Sequence, residues 1–107
     1  MSIIYLIESI RDYDTTYKIG YTRSKNAKNR IKALQTGNDG NLKIVHEFQT
    51  KHGIIIEKSL HNFYKHKNIK NEWFNLDIED ITNFINMCQK IEDNITTLKN
   101  HGNYKFI

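Results

Sequence analysis

The stretch Ile3–Thr22, I-I-Y-L-I-E-S-I-R-D-Y-D-T-T-Y-K-I-G-Y-T, decides how the rest of the chain is read. Residues 3–8 are apolar apart from Glu8 and include β-branched isoleucines, the composition of a strand buried on both faces. Residues 9–16 are polar and turn-rich, and Tyr17–Thr22 reads as a second strand. A connection of that length predicts an antiparallel pair. Strand alternation puts Tyr5 on the face of Ile3 and Ile7, and Lys18 on the face of Gly20 and Thr22. In a regular hairpin those two faces coincide, so Tyr5 and Lys18 can meet. Gly20 weakens a strand and marks a place where another element comes close.

Downstream, Ser24 is a candidate cap for a helix over Lys25–Gln35, with Ala27, Ile31 and Leu34 as its inward stripe. Gly37 and Asn38 supply the stop. Leu42–Gln49 alternates as a third strand, and Gly53–His66 reads as a helix packed through Ile56, Leu60 and Phe63. The short N-E-W-F-N-L at 71–76 suits an edge strand or an extended packing segment, with Trp73 as a core anchor. Asp77 then caps a long helix, its apolar stripe running from Ile78 to Leu98 over about 33 Å. These elements predict a small α/β (α+β) domain, an antiparallel or mixed three-stranded sheet flanked by helices. The core spans 1–76, helix 77–100 packs on it or on a partner copy as a homo-oligomer contact, and 101–107 form a loose tail.

With 107 residues and 38% hydrophobic content, the chain suits one domain with a modest core. No apolar run approaches the roughly 20 residues that cross a bilayer. The start lacks the basic region of a secretory signal, and the one cysteine, Cys88, permits no internal disulfide. An intracellular location is expected. Cys88 itself falls in an apolar helical stripe, as a buried structural thiol does. The net charge of +4 is unevenly distributed: residues 18–70 hold 12 Lys or Arg and three acids, a net of +9 between acidic ends. A positive middle of this kind is an electrostatic footprint for a polyanion, and Lys25, Lys28, Lys32, Lys65 and Lys67 are candidate phosphate contacts.

Five pieces stand in order on these elements: I-I-Y at 3–5, K-I-G at 18–20 followed by Tyr21 and Thr22, Arg30 on the first helix, Glu57 with L-H at 60–61 on the second, and E-W-F at 72–74. Together they resemble the GIY-YIG endonuclease superfamily over residues 3–76. The likeness is closest to the orf172-like branch of phages and large DNA viruses, whose second motif reads K-I-G. Ile3 stands where the family has its first glycine, Lys18 replaces the tyrosine of the second motif, and Leu34 stands where a histidine is frequent. The resemblance implies a viral or phage protein acting within an infected cell. It also implies Mg²⁺- or Mn²⁺-dependent cleavage of DNA to a 5′-phosphate and a 3′-hydroxyl, with Glu57 as metal ligand and Tyr5, Lys18, Arg30 and His61 around it.

Elementary chemistry agrees with that set. Cutting a phosphodiester needs an activated water, neutralisation of charge growing at phosphorus, and help for the leaving oxygen. Glu57 can hold a hard cation that keeps several waters. Arg30, beside the Ala27–Leu34 stripe, offers a planar fork to two phosphate oxygens, which a lysine cannot. Tyr5 is a poor base unless an ammonium such as Lys18 and a metal favour its phenolate. His61, one turn after Glu57, can orient water or bind phosphate. Tyr17 and Tyr21 point to the opposite face and suit packing. Two alternatives compete: an inactive nucleic-acid-binding module on the same fold, and a protein-interaction domain built on the long helix. The chain holds no separate DNA-reading module, which implies recognition of duplex or branched DNA by shape.

Overall fold

β1 (Ser2–Arg11) and β2 (Asp14–Thr22) form the antiparallel hairpin expected from the opening stretch, with Tyr5 opposite Gly20 and Ile7 opposite Lys18. In this computed structural model the described residues are 1–12, 14–36 and 41–100. The expected stop at Gly37 and Asn38, and the tail 101–107, lie outside them. After α1 (Lys28–Thr36), β3 (Asn41–Thr50) returns along the other side of β1. The register slips between Leu6 and Ile7, where Ile7 faces Ile44 and Leu6 faces His46. One extra residue on β3, Val45, makes the bulge.

α2 (Gly53–Phe63) and a 3₁₀ turn at Lys65–Lys67 lead to β4 (Asn68–Lys70) and β5 (Trp73–Phe74). The sheet therefore has five strands in the order β3-β1-β2-β5-β4, all neighbours antiparallel, rather than three. β5 comes from the segment at 71–76 expected to be an edge strand, and it pairs with β4 from the residues just before that segment.

β1 is buried on both faces because helices cover both. Tyr5 and Ile7 pack with Ala27, Ile31 and Leu34 from the α1 side. Ile4, Leu6 and Ile19 pack with Ile56 and Leu60 of α2 on the opposite face. Each such aliphatic side chain, fully removed from water, stabilises by about 1.5–3 kcal/mol. Phe74, 1% exposed, is the aromatic anchor of this second core, whereas Trp73 is half-buried on the other face, opposite Lys18. Phe63 is exposed and contributes little to the α2 stripe.

The long terminal helix is two helices, α3 (Ile78–Thr82) and α4 (Phe84–Asn100). Asp77 caps α3 as expected, in a reciprocal capping box with Asp80. Asn83 separates the two, and His46 of β3 donates from Nε2 to the Ile81 carbonyl at 2.9 Å and stacks on Phe84. α4 then crosses its own domain. Cys88 is fully buried and Ile95 is 4% exposed, while Glu92 accepts from Thr50 and lies 3.4 Å from His52. Of the two expected packings of this helix, on the core or on a partner copy, Ile95 takes the first.

Candidate active site

The hydrogen bonds of β2 explain where the candidate residues gather. Gly20 pairs with Tyr5, so the backbone groups of Ile19 and Tyr21 point away from β1. β5 is too short to take all of them: Ile19 N–H donates to the Glu72 carbonyl at 3.1 Å, and there the ladder ends. α2 completes it with side chains. His61 Nε2 donates to the Ile19 carbonyl at 2.8 Å, and the Tyr21 N–H donates to the Glu57 carboxylate. A gap in the sheet edge is thus filled by Glu57 and His61, one helical turn apart.

Tyr5, Lys18 and Arg30 reach the same place from the α1 side. Tyr5 is 1% exposed and its ring lies across Gly20, where a Cβ would sit 2.4 Å from its hydroxyl oxygen. That close approach is the reason for a glycine in mid-strand. Arg30 donates a hydrogen bond to the Tyr5 hydroxyl. This bond, with the attraction of Tyr5 and then of Glu72 and Glu57, holds the guanidinium in its charged state more firmly than in water. Lys18, 5% exposed, is ion-paired to Glu72, and its ammonium sits 6.0 Å from the centre of the Trp73 ring. A buried ammonium needs such a partner.

Glu57, His61 and Glu72 are half-buried, and a donor atom from each lies within 4.8 Å of the other two. Burial raises the Glu57 pKa above the ordinary carboxylate value, and the Glu72 charge raises it further. His61, the Tyr21 N–H and Lys18 act in the opposite sense. Two carboxylates and an imidazole at this spacing fit a divalent cation, whose ligands stand about 3–4 Å apart when each is about 2.1 Å from the ion.

All five candidate residues, Tyr5, Lys18, Arg30, Glu57 and His61, therefore belong to one neighbourhood. Glu72 belongs to it as well, although its motif letters alone did not place it there. It occupies the second position of the two-residue turn between β4 and β5, after Asn71 at φ 53°. Asn68 braces the turn by donating to the Asn71 and Trp73 carbonyls at 2.8 and 3.1 Å.

The lysines divide. Lys25 and Lys28 are exposed around the start of α1, Lys32 is exposed further along it, and Lys65 is exposed in the 3₁₀ turn. Lys67 is engaged by Asp77 and Asp80 at the α3 cap, which ties the turn to the helix. A cleft of about 670 Å³ opens at the N-terminal end of α2, lined in part by Tyr21, Arg23, Lys51, His52 and Ile54. Tyr17 is 7% exposed and hydrogen-bonds Glu8, and Tyr21 packs on the second core, so both serve packing. Burial pushes the Cys88 thiol up to about 12, which leaves it an inert core residue.

The profile of the T5orf172 domain, a phage-associated domain type, matches residues 2–89. The chain belongs to the T5orf172 domain family. The matched span takes in all five strands, α1 to α3 and the start of α4, and so extends past the 3–76 expected from the motifs. Searches of curated proteins and of solved structures returned no significant match. No helix among the described residues is long and apolar enough to cross a membrane.

Proposed function

We propose that this T5orf172 domain is a GIY-YIG-type endonuclease that hydrolyses DNA phosphodiester bonds with one divalent cation, Mg²⁺ or Mn²⁺, held at Glu57. The observation that carries the proposal is the convergence of Tyr5, Lys18, Arg30, Glu57 and His61 on the open edge of β2. When bound, a divalent cation supplies Lewis-acid polarisation of a phosphate oxygen and stabilises the departing alkoxide.

The residues divide the remaining work. Arg30 spends one donor on Tyr5 and keeps others for phosphate oxygens, so it binds the scissile group and orients the phenol in one act. Tyr5, buried and fixed over Gly20, acts as base from its phenolate: its own hydroxyl proton leaves to solvent first, and the proton of the attacking water then restores the phenol. Lys18, two residues before Gly20 on β2, anchors Glu72. His61, pinned by the Ile19 carbonyl, holds its ring against Phe74 and keeps α2 in register with the strand edge. The basic cleft beside Tyr21 and the exposed lysines of α1 are positioned to guide the polyanion towards this edge.

The test is incubation of the chain with plasmid, branched DNA and RNA, with Mg²⁺ or with EDTA. Metal-dependent nicking that disappears in Glu57→Gln supports the proposal. Equal cleavage by wild type and Glu57→Gln refutes it, as does binding without cleavage under every metal condition.

A further inference from the structure

We propose that Glu57, His61 and Glu72 together form a three-ligand, mixed nitrogen–oxygen site that binds a first-row transition ion such as Mn²⁺ in preference to Mg²⁺. The inference rests on Glu57 being a cation ligand, as proposed above, and adds to it the identity of its companions and the class of ion.

Three observations support it. The first is the spacing: one donor atom from each side chain lies within 4.8 Å of the others, although they come from α2 and from the β4–β5 turn. The second is the imidazole. Its Nε2 donates to the Ile19 carbonyl at 2.8 Å, so the neutral ring carries its lone pair on Nδ1. A backbone carbonyl behind one ring nitrogen is the usual support of a metal-binding histidine, because it fixes tautomer and ring angle together. The edge-to-face contact with Phe74, centroids 5.0 Å apart, removes the remaining freedom of rotation.

The third observation is the placement of Glu72. The hairpin turn holds its backbone through Ile19, and Lys18 engages Oε2, so the carboxylate is positioned in advance and its other oxygen remains for a ligand bond. A carboxylate supported in this way loses little freedom when it binds. Lys18 then acts as a positioning residue for the ion through Glu72.

The donor set selects the class of ion. Mg²⁺ takes oxygen ligands at near-ideal octahedral positions and usually only one or two protein carboxylates. An imidazole nitrogen adds little for Mg²⁺ but favours the first-row transition ions.

Metal binding without nucleic acid tests this directly. Titration calorimetry on the wild-type chain is expected to give one Mn²⁺ site, tighter than its Mg²⁺ site. Electron spin-echo spectroscopy of the Mn²⁺-loaded wild type is expected to show coupling to one imidazole nitrogen. His61→Gln retains an amide donor for Ile19 but replaces the nitrogen ligand with oxygen. It is expected to weaken Mn²⁺ binding on the order of 10–100-fold while changing Mg²⁺ binding far less. Absence of nitrogen coupling in the wild type overturns the inference without reference to any variant's folding. So does a Mn²⁺-to-Mg²⁺ preference that His61→Gln leaves unchanged. A chain that binds Mn²⁺ with this signature but cleaves no nucleic acid keeps the site and refutes the nuclease. A chain that cleaves with Mg²⁺ but shows no nitrogen ligand does the reverse.

Discussion

Burial and the nearby Glu72 charge both disfavour the ionised form of Glu57, which is the form that holds a cation. The fold therefore carries a local penalty that grows with pH. Because the folded-state pKa is raised, the native chain binds more protons than the unfolded one in the window above the ordinary glutamate value, and stability falls as pH rises through it. Below that window both states are protonated and the penalty vanishes. Glu57→Gln mimics the neutral form, so in EDTA it is expected to melt at a higher temperature than wild type at pH 7 and at the same temperature near pH 3.5. Melting curves at the two pH values check this, and a Gln variant less stable at pH 7 would contradict it. Gly20→Ala is the complementary case. A Cβ there falls 2.5 Å from the Tyr5 ring carbon that bears the hydroxyl, so the ring must move out from under Arg30. Overpacking of this kind costs about 1–3 kcal/mol. Cleavage, if the proposed chemistry holds, is expected to fall further than stability does, which a comparison of melting temperature and single-turnover rate would show.

At the scale of elements, the β4–β5 turn is the smallest unit whose shape matters to the site. Asn71 occupies the left-handed region at φ 53°, which asparagine and glycine tolerate and β-branched residues do not. Asn71→Gly is expected to be nearly neutral, whereas Asn71→Val is expected to cost about 1–3 kcal/mol and to release Glu72 from Lys18. Denaturant titrations of the two variants decide it, and equal midpoints would show that the turn is not strained. The same scale separates what was legible in the sequence from what was not. The β1–β2 hairpin, the Tyr5 face and the close approach at Gly20 follow from period-two alternation, which is a local property. The start of α1 does not. Ser24 was the local candidate for its cap, yet the Ala27 N–H is taken by the Glu47 carboxylate of β3 at 2.7 Å, and the helix begins at Lys28. The first helical N–H, of Lys28, donates to Asn26 Oδ1 at 3.0 Å, and no local pattern reveals the Glu47 contact from 20 residues away. The break at Asn83 was hidden for a related reason, since the apolar stripe continues through it and the His46 contact that fastens it comes from β3. Glu72 was visible as a letter in N-E-W-F, but its role depends on a hairpin that only the folded sheet reveals. Lys67 looked like one more cation in a basic segment until Asp77 and Asp80 were brought beside it.

For the molecule as a whole, the central charge of +9 and the acidic ends imply binding that salt weakens. With Lys67 committed to its ion pairs, phosphate contacts fall to exposed groups such as Lys25, Lys28 and Lys65. For about 3–6 contacts on duplex DNA, log affinity should fall with log salt at a slope of about −0.9 per contact. Fluorescence anisotropy across a salt series measures it, and an affinity indifferent to salt would exclude nucleic acid as the partner. The fate of α4 is the last global question, and packing answers it. Ile95 is 4% exposed on the domain's own core, and Glu92 reaches Thr50 and His52 at the junction of β3 and α2. α2 carries Glu57 and His61, so the far half of α4 supports the helix that presents the site. A chain ending at Lys90 loses Ile95 and the Glu92 carboxylate together, and burial of one such isoleucine alone is worth about 1.5–3 kcal/mol. Truncation there is expected to lower the melting temperature and to weaken metal binding at Glu57. Sedimentation is expected to find the 107-residue chain already monomeric. A dimeric 107-residue chain that becomes a stable monomer when cut at Lys90 would instead assign that half of α4 to an interface between copies.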